Sequence, residues 1–144
     1  MFFGEFYHTL DEKGRLTMPS NFRKLLIGDG AFALRGFDQN LMIVTSTSFR
    51  VIYERINQMS MTDPVARLLR RRLFSAAAEV DFDKTGRILL PPYLREVAGI
   101  TNEAVFVGNG DYIEVWSPDQ WANQKDQLNN ISADQFTALD LSSR

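Results

Sequence analysis

Two short segments of the chain share one chemistry-bearing pattern, Asp-x-x-Gly-Arg with a proline four residues after the arginine. The first segment begins at Asp11 and the second at Asp83. In each, the glycine predicts a tight turn between two strands, because glycine adopts a positive φ at little cost. The arginine that follows, Arg15 or Arg87, would then project from a rigid hairpin edge. A guanidinium placed there can bind a phosphate or the edge of a guanine.

Further basic residues surround these turns. Lys13 lies inside the first turn and Lys84 inside the second, while Arg23 and Lys24 lie on the short helix predicted after the first. The pattern also has a purely structural interpretation, because an aspartate can accept hydrogen bonds from turn amides and pair with the arginine without any ligand. From these residues alone the structural interpretation is preferred, since such ion pairs are usually structural.

Both patterns belong to a longer internal repeat with an offset of 72 residues. The stretch DEKGRLTMPSNFRKLL, starting at Asp11, corresponds to DKTGRILLPPYLREVA, starting at Asp83. A repeat of this length indicates a duplicated structural unit. We expect the same offset to continue without a gap, so that Gly36 corresponds to Gly108.

Hydrophobic periodicity and turn residues predict one element order for both units: strand, turn, strand, short helix, two strands and a closing helix. In the first unit these are the strands EFYHTL, RLTM, AFALR and LMIVT, a helix from Ser20 to Leu26, and a helix carrying Phe49 to Ile56. In the second they are the strands AEVDF, RILL, AVFV and YIEVW, a helix around Leu94 to Ala98, and a helix opening at Pro118. A further helix over residues 64–78, capped by Thr62 or Asp63, is predicted between the units.

This organisation predicts an α+β protein built from two pseudo-symmetric halves. A single unit would bury little apolar surface, so we expect the two to interlock around one core. The predicted divisions are residues 1–60 for the first unit (core 5–47), 61–76 for the linking helix, 77–122 for the second unit (core 77–119), and 123–144 for an acidic C-terminal helix or tail.

Composition narrows the class of protein without deciding its function. The chain has 144 residues, 44% of them hydrophobic, 24% charged, and none of them cysteine. These values predict a globular cytoplasmic protein without disulfides or thiolate metal sites, and no apolar run approaches the roughly 20 residues of a membrane span. The net charge of −2 combines a mildly basic body, residues 1–100, with an acidic end, residues 101–144. Basic residues that converge on one face could still bind DNA.

Three other features have structural interpretations that we prefer to functional ones. The densest basic cluster, Arg67 with residues 70–72, is expected to be a solvated helix face or to form ion pairs between subunits, rather than to bind phosphate. His8, the only histidine, is expected to be a hydrogen-bonded strand residue rather than a metal ligand or a catalyst. The N-terminal aromatic residues are expected in the core or a subunit interface; they are Phe2, Phe3, Phe6 and Tyr7.

The N-terminal block MFFGEFYHTLDEKGRLTMPSNFR and its echo DKTGRILLPPYLRE resemble the MraZ family over nearly the whole chain. This resemblance implies two modules similar to the swapped-hairpin DNA-binding domains of the SpoVT/AbrB type, forming a small barrel-like core with flanking helices. It implies self-assembly into rings and repression through short direct repeats in the promoter of the division and cell-wall gene cluster. A nucleoid-associated location follows from that function.

The resemblance carries the DNA-binding motif of the first module onto Lys13, Gly14 and Arg15. In the second module Gly86 and Arg87 match, but Thr85 stands at the position of Lys13. We therefore expect the turn of the first module to make the main contact with DNA and Arg87 to make a weaker one. Arg23 and Lys24 are further candidates for DNA contacts.

Two other classes of function are alternatives to a DNA-binding regulator. An enzyme is not supported, because the sequence has no glycine-rich phosphate loop, nucleophile motif or metal-ligand cluster; no cofactor, metal or small-molecule substrate is expected. The remaining alternative is an assembly or antitoxin-like module that uses the same fold. Antitoxins of this type typically have one module and a tail, so the second module argues against it. The expected partners are double-stranded promoter DNA and further copies of the chain.

Overall fold

The computed structural model describes residues 1–141, which form a mixed α+β fold. The first half contains β1 (Glu5–Thr9), β2 (Arg15–Thr17), α1 (Ser20–Ile27), β3 (Ala31–Arg35), β4 (Leu41–Thr45), α2 (Ser46–Asn57) and α3 (Pro64–Phe74). The second half contains β5 (Ala78–Glu79), β6 (Arg87–Leu89), α4 (Pro92–Ala98), β7 (Glu103–Gly108), β8 (Ile113–Trp116), α5 (Pro118–Asn130) and α6 (Asp134–Thr137). The predicted order of elements is confirmed in both halves.

The two halves exchange their first strands. A six-stranded antiparallel sheet has the order β1-β7-β8-β4-β3-β5, so β1 of the first half pairs with the second half's hairpin and β5 pairs with the first half's hairpin. A separate two-stranded sheet, the β2–β6 ribbon, also takes one strand from each half. This is the expected swapped-hairpin arrangement. The six-stranded sheet is open, with β1 and β5 at its edges, rather than closed into a barrel.

Strand registers place a pseudo-twofold axis through both sheets. In the ribbon Leu16 lies opposite Ile88, and in the centre of the large sheet Met42 lies opposite Glu114. Each pair joins residues that are 72 positions apart, which are therefore equivalents in the repeat. Two structurally equivalent strands can pair in this way only around a twofold axis, so the duplication seen in the sequence is a symmetry of the fold.

The expectation that the offset continues without a gap is wrong for one strand pair. Val44 pairs with Phe32, whereas its equivalent Trp116 pairs with Val105, which lies 73 positions after Phe32. The second half therefore has one extra residue before β7 and one fewer in the following turn. The counterpart of Gly36 is Asn109 rather than Gly108, since the N–H of Gly36 donates to the Asn40 carbonyl and that of Asn109 to the Tyr112 carbonyl.

The main core lies between the large sheet, the ribbon and the two short helices α1 and α4. Its centre is formed by fully buried apolar side chains from both halves, among them Leu16, Phe22, Leu41, Ile88, Leu94 and Phe106. Burial of this surface stabilises the fold mainly by removing apolar area from water. Because the ribbon supplies one side of this core, its two strands are held firmly while their turns remain at the surface.

The outer face of the large sheet is covered by α2, α3 and α5. Side-chain caps fix where these helices begin: Thr45 accepts from the N–H of Ser48, Asp63 from that of Val65, and Ser117 from that of Gln120. No helix in the described residues is long and apolar enough to cross a membrane.

Two predicted elements around the junction of the halves were too long. The linking helix ends at Phe74 instead of residue 78, because Ala78 and Glu79 form β5 by pairing with β3. The strand predicted over AEVDF consists only of these two residues, and Phe82 adds an isolated bridge to Ile88. Tertiary pairing has overridden the helical pattern here.

Candidate nucleic-acid interface

The β2–β6 ribbon presents one apolar and one polar face. Leu16 and Ile88 point into the core, and the strand alternation therefore turns Arg15 and Arg87 outward. The two arginine side chains are 36% and 33% exposed, respectively. They lie diagonally across the strand pair, since Arg87 is opposite Thr17 rather than opposite Arg15. One face of a narrow ribbon thus carries both guanidinium groups.

The first turn is organised around the carboxylate of Asp11. Its Oδ1 accepts hydrogen bonds from the backbone N–H groups of Lys13 and Arg15, both at 2.9 Å. Its Oδ2 accepts from Nε of Arg15 at 2.6 Å. Gly14 has a φ of +81°, as the turn prediction requires, and its N–H donates to the Asp11 carbonyl. The carboxylate therefore fixes both the turn and the direction of the arginine side chain.

The second turn repeats this construction with one change. Asp83 Oδ1 accepts from the N–H groups of Thr85 and Arg87 at 2.9 Å, and its Oδ2 accepts from Arg87 Nε at 2.8 Å. Gly86 again has a φ of +81°. Where the first turn has Lys13, the Thr85 hydroxyl adds a further hydrogen bond to Asp83 at 2.9 Å. The second turn is therefore more fully hydrogen-bonded and has one cation fewer at this position.

Both aspartates remain ionised over the whole physiological range. The backbone N–H of Arg15 is the largest cause that lowers the pKa of Asp11, and the N–H of Arg87 acts in the same way on the pKa of Asp83. These are the contacts that the structural interpretation of the motif requires. They occupy Nε of each arginine. In the described part of the chain, the terminal guanidinium nitrogens of Arg15 have no hydrogen bond, whereas Nη1 of Arg87 donates to Asp11 Oδ2 at 3.4 Å and pairs with it.

Each turn is supported by an arginine from the other half. A Cβ added to Gly14 would come within 2.7 Å of Cζ of Arg95 on α4, and one added to Gly86 would collide with Nη1 of Arg23 on α1. Nε of Arg95 is held by the Leu90 carbonyl at 3.0 Å. The glycines are therefore needed for two reasons, their positive φ and the close approach of these side chains.

Most of the predicted site residues lie on this surface, and one of them, Arg23, lies at the turn of the other half. The ribbon and its turns carry Lys13, Gly14, Arg15 and Arg87, and Lys13 is exposed. Arg23 lies beside the second turn, not the first, because the halves are interlocked. Lys24 is exposed on the same helix.

Sequence reasoning missed Arg95 as part of this surface. Its correspondence to Arg23 in the repeat was the available signal, and the exchange of strands converts that correspondence into reciprocal support of the two turns.

The arginine cluster on α3 is mainly structural, although not through the contacts that we expected. Nη1 of Arg67 donates to the Met61 carbonyl, and Nη2 of Arg70 to the Ile56 carbonyl at the end of α2. Nη2 of Arg72 donates to the Gly36 carbonyl at 2.7 Å. These arginine side chains thus donate hydrogen bonds to backbone carbonyl groups within the fold, instead of only facing solvent.

Of the remaining candidates, His8, Phe2 and Phe6 pack against aromatic side chains of the fold. His8 is in β1 with its ring edge-on to Phe106 at 5.9 Å, and burial lowers its pKa. Phe2 and Phe6 contact Phe22 in the core, whereas Phe3 and Tyr7 are exposed; strand alternation separates the two pairs. Among the described residues no group of histidine, aspartate and glutamate side chains could hold a metal ion.

Fold and surface together define a duplicated, strand-exchanged module with two basic turns on one ribbon. The family described as "MraZ protein, putative antitoxin-like" matches residues 1–72 and again residues 73–142, in agreement with the duplication. The chain belongs to the MraZ family.

Similar proteins carry the name Transcriptional regulator MraZ, which describes a regulator and not an enzyme. That of Herpetosiphon aurantiacus is 46% identical over 139 residues, covering 96% of this chain and 94% of the relative. That of Thermomicrobium roseum is 44% identical over 128 residues, covering 89% of each chain. That of Desulfitobacterium hafniense is 40% identical, covering 96% of each.

Proposed function

We propose that this protein is a sequence-specific DNA-binding regulator of transcription that contacts DNA through the β2–β6 ribbon and its two turns. The observation that carries this proposal is the placement of Arg15 and Arg87 on one outward face, each held at Nε by a turn aspartate. Fixed in this way, Arg15 keeps both terminal nitrogens for a bidentate contact with guanine or phosphate, whereas Arg87 has Nη1 paired with Asp11 and offers Nη2. Both side chains lose little entropy on binding, because Nε already holds them.

The dimensions of the ribbon favour the major groove. Two paired strands lie about 4.8 Å apart, and the major groove of B-DNA is about 12 Å wide and admits a two-stranded ribbon. Such a ribbon can bring its outward side chains to the base edges. The turns at its ends then lie beside the sugar–phosphate backbone.

Local charge supports the same assignment despite the negative net charge of the whole chain. The second turn has three basic side chains, Arg23, Lys84 and Arg87, around its own carboxylate, Asp83; Arg87 also contacts Asp11 of the first turn. At the first turn Lys13, Arg15 and Arg95 stand against Asp11 and Glu12. Both turns are thus net basic, and the acidic C-terminal segment is separate in sequence. The second turn is at least as basic as the first, because it has Lys84 where the first turn has Glu12.

The finer parts of the proposal follow from family membership together with the symmetry of the chain. We propose that the DNA site consists of short direct repeats in the promoter of the division and cell-wall gene cluster, and that binding represses this cluster. Copies of the chain arranged in a ring would place several ribbons on neighbouring repeats, so modest contacts would add through a high effective concentration. The location that fits is the cytoplasm, at the nucleoid.

A gel-shift titration with the promoter fragment upstream of the protein's own gene tests this function. We expect Arg15→Ala to weaken binding about 5- to 150-fold, since one bidentate arginine–guanine contact contributes about 1–3 kcal/mol. The matched control is Arg71→Ala, which removes an exposed arginine on α3, far along the chain from the ribbon. Equal affinities for the wild type, Arg15→Ala and Arg87→Ala would reject the ribbon as the DNA-binding surface.

A further inference from the structure

The C-terminal tail, defined here as residues 131–141, exposes apolar side chains on and beside the four-residue helix α6. Phe136 on α6 is 44% exposed, and Leu139, two residues after the end of α6, is 71% exposed. Ile131 and Leu141 are exposed as well. Exposed apolar anchors on a short segment are typical of chains that dock into an apolar groove of a partner.

The same protein has an apolar groove between α2 and α3. A cavity of about 210 Å³ opens there, lined by Leu34, Phe37, Ile56, Met59, Leu69 and Leu73 together with the side chain of Arg55. Phe37 is 65% exposed at its mouth. Further apolar side chains on α3 and the connection before it are exposed, namely Met61, Val65 and Leu68. An apolar patch of this kind marks an interaction site more often than idle surface.

Charge complementarity indicates what covers the groove. The segment 46–74, which forms α2 and α3, contains six arginines against the two acidic residues Glu54 and Asp63. The tail contains aspartates at positions 134 and 140 and no lysine or arginine. An acidic tail with exposed apolar side chains and a basic apolar groove match each other in both respects, and opposite charges steer such surfaces together.

We propose that the tail of one copy of this chain docks into the α2–α3 groove of a second copy, with Phe136 and Leu139 as the anchors. The contact joins different surfaces of the two copies, so repetition produces a ring when the rotation closes. The inference rests on the self-association proposed above and names the surfaces that carry it. It involves neither turn of the ribbon and leaves both free for DNA.

Light scattering on the full-length protein tests the two surfaces separately. Phe136→Asp alters the anchor, and Phe37→Asp alters the groove. The matched control is Leu25→Asp on α1, which changes an apolar residue with the same exposure as Phe136, 44%. We expect both test variants to weaken association about tenfold or more, because each replaces a phenylalanine that the proposed contact would bury with a charged residue. The control is expected to keep the wild-type mass.

Cross-linking identifies the contact itself. The chain has no cysteine, so Gln58→Cys beside the groove and Thr137→Cys in the tail introduce the only thiols. Copies with the first change, mixed with copies carrying the second, are expected to form disulfide-linked dimers. Thr101→Cys, at an exposed position outside both surfaces, replaces Gln58→Cys in the control mixture and should give none.

Three results would overturn the inference: wild-type mass for both test variants, equal dimer yields in the two mixtures, or only an intrachain disulfide when Gln58→Cys and Thr137→Cys are in one chain. A monomeric wild type would reject the ring as well. Promoter binding, measured separately with Arg15→Ala, shows whether the proposed DNA-binding function fails independently.

Discussion

Replacing Gly14 by alanine tests the interlocking of the two halves at one point. Alanine at a φ of +81° costs about 1–2 kcal/mol of folding stability, because a Cβ is strained in the left-handed region. The new Cβ would also lie 2.7 Å from Cζ of Arg95 and would displace its guanidinium. Moving it breaks the hydrogen bond from Arg95 Nε to the Leu90 carbonyl, which contributes about 1–1.5 kcal/mol. We therefore expect Gly14→Ala to lower the free energy of unfolding by about 2–3.5 kcal/mol.

A double-mutant cycle separates the two contributions. Arg95→Ala alone loses the same hydrogen bond, so Gly14→Ala combined with Arg95→Ala should lose it only once. The double variant should be more stable than the sum of the single effects predicts, by about 1 kcal/mol. Urea denaturation of the four proteins measures these free energies. Single effects that add to within about 0.3 kcal/mol would refute the contact between the first turn and the second half's helix.

Three further predictions concern other contacts. The pKa of Asp83 is lowered on folding, so its contribution to stability is full above the usual carboxyl pKa range and is lost as pH falls below that range. The difference in free energy of unfolding between wild type and Asp83→Asn, measured by urea denaturation, should therefore shrink from pH 6 to pH 3. A constant difference would contradict this. Glu5 accepts hydrogen bonds from Trp121 Nε1 at 3.2 Å and from Lys125 Nζ at 3.0 Å, which tie α5 to β1. Glu5→Ala should therefore loosen α5 and change the tryptophan fluorescence. An unchanged spectrum would show that these two hydrogen bonds do not hold α5. Leu16→Ala should destabilise the core by about 2–5 kcal/mol in the same melts, and a loss below 1 kcal/mol would mean that the ribbon is not part of it.

Local patterns in the sequence predicted the elements and both turns well. The turns were predictable because their chemistry is local: glycine at a positive φ and an aspartate four residues before the arginine are sufficient. The projection of Arg15 and Arg87 from the edge of a hairpin was likewise predictable, because each arginine directly follows the turn glycine. The repeat predicted the pseudo-symmetry, since equivalent residues pair across the axis in both sheets.

The structural features that the sequence did not predict depend on contacts between the two halves. The shift of one residue at β7 was not predictable from the hydrophobic pattern. The strand AFALR aligns apolar residues with EAVFVG at an offset of either 72 or 73, so only strand pairing decides between the two alignments. The destination of Arg23 and the role of Arg95 follow from the exchange of strands, which local patterns do not encode. The arginines of α3 bind carbonyl groups of loops and helix ends, whose positions are set by tertiary packing.

Hydrogen exchange of the protein, free and bound to its promoter fragment, tests most directly whether the two turns of the ribbon bind DNA. Peptides covering residues 11–17 and 83–89 report on these turns, and peptides covering α3 serve as the internal comparison. Slower exchange in both turn segments on binding, with α3 unchanged, is the predicted result. Protection of α3 with both turn segments unchanged would contradict the account.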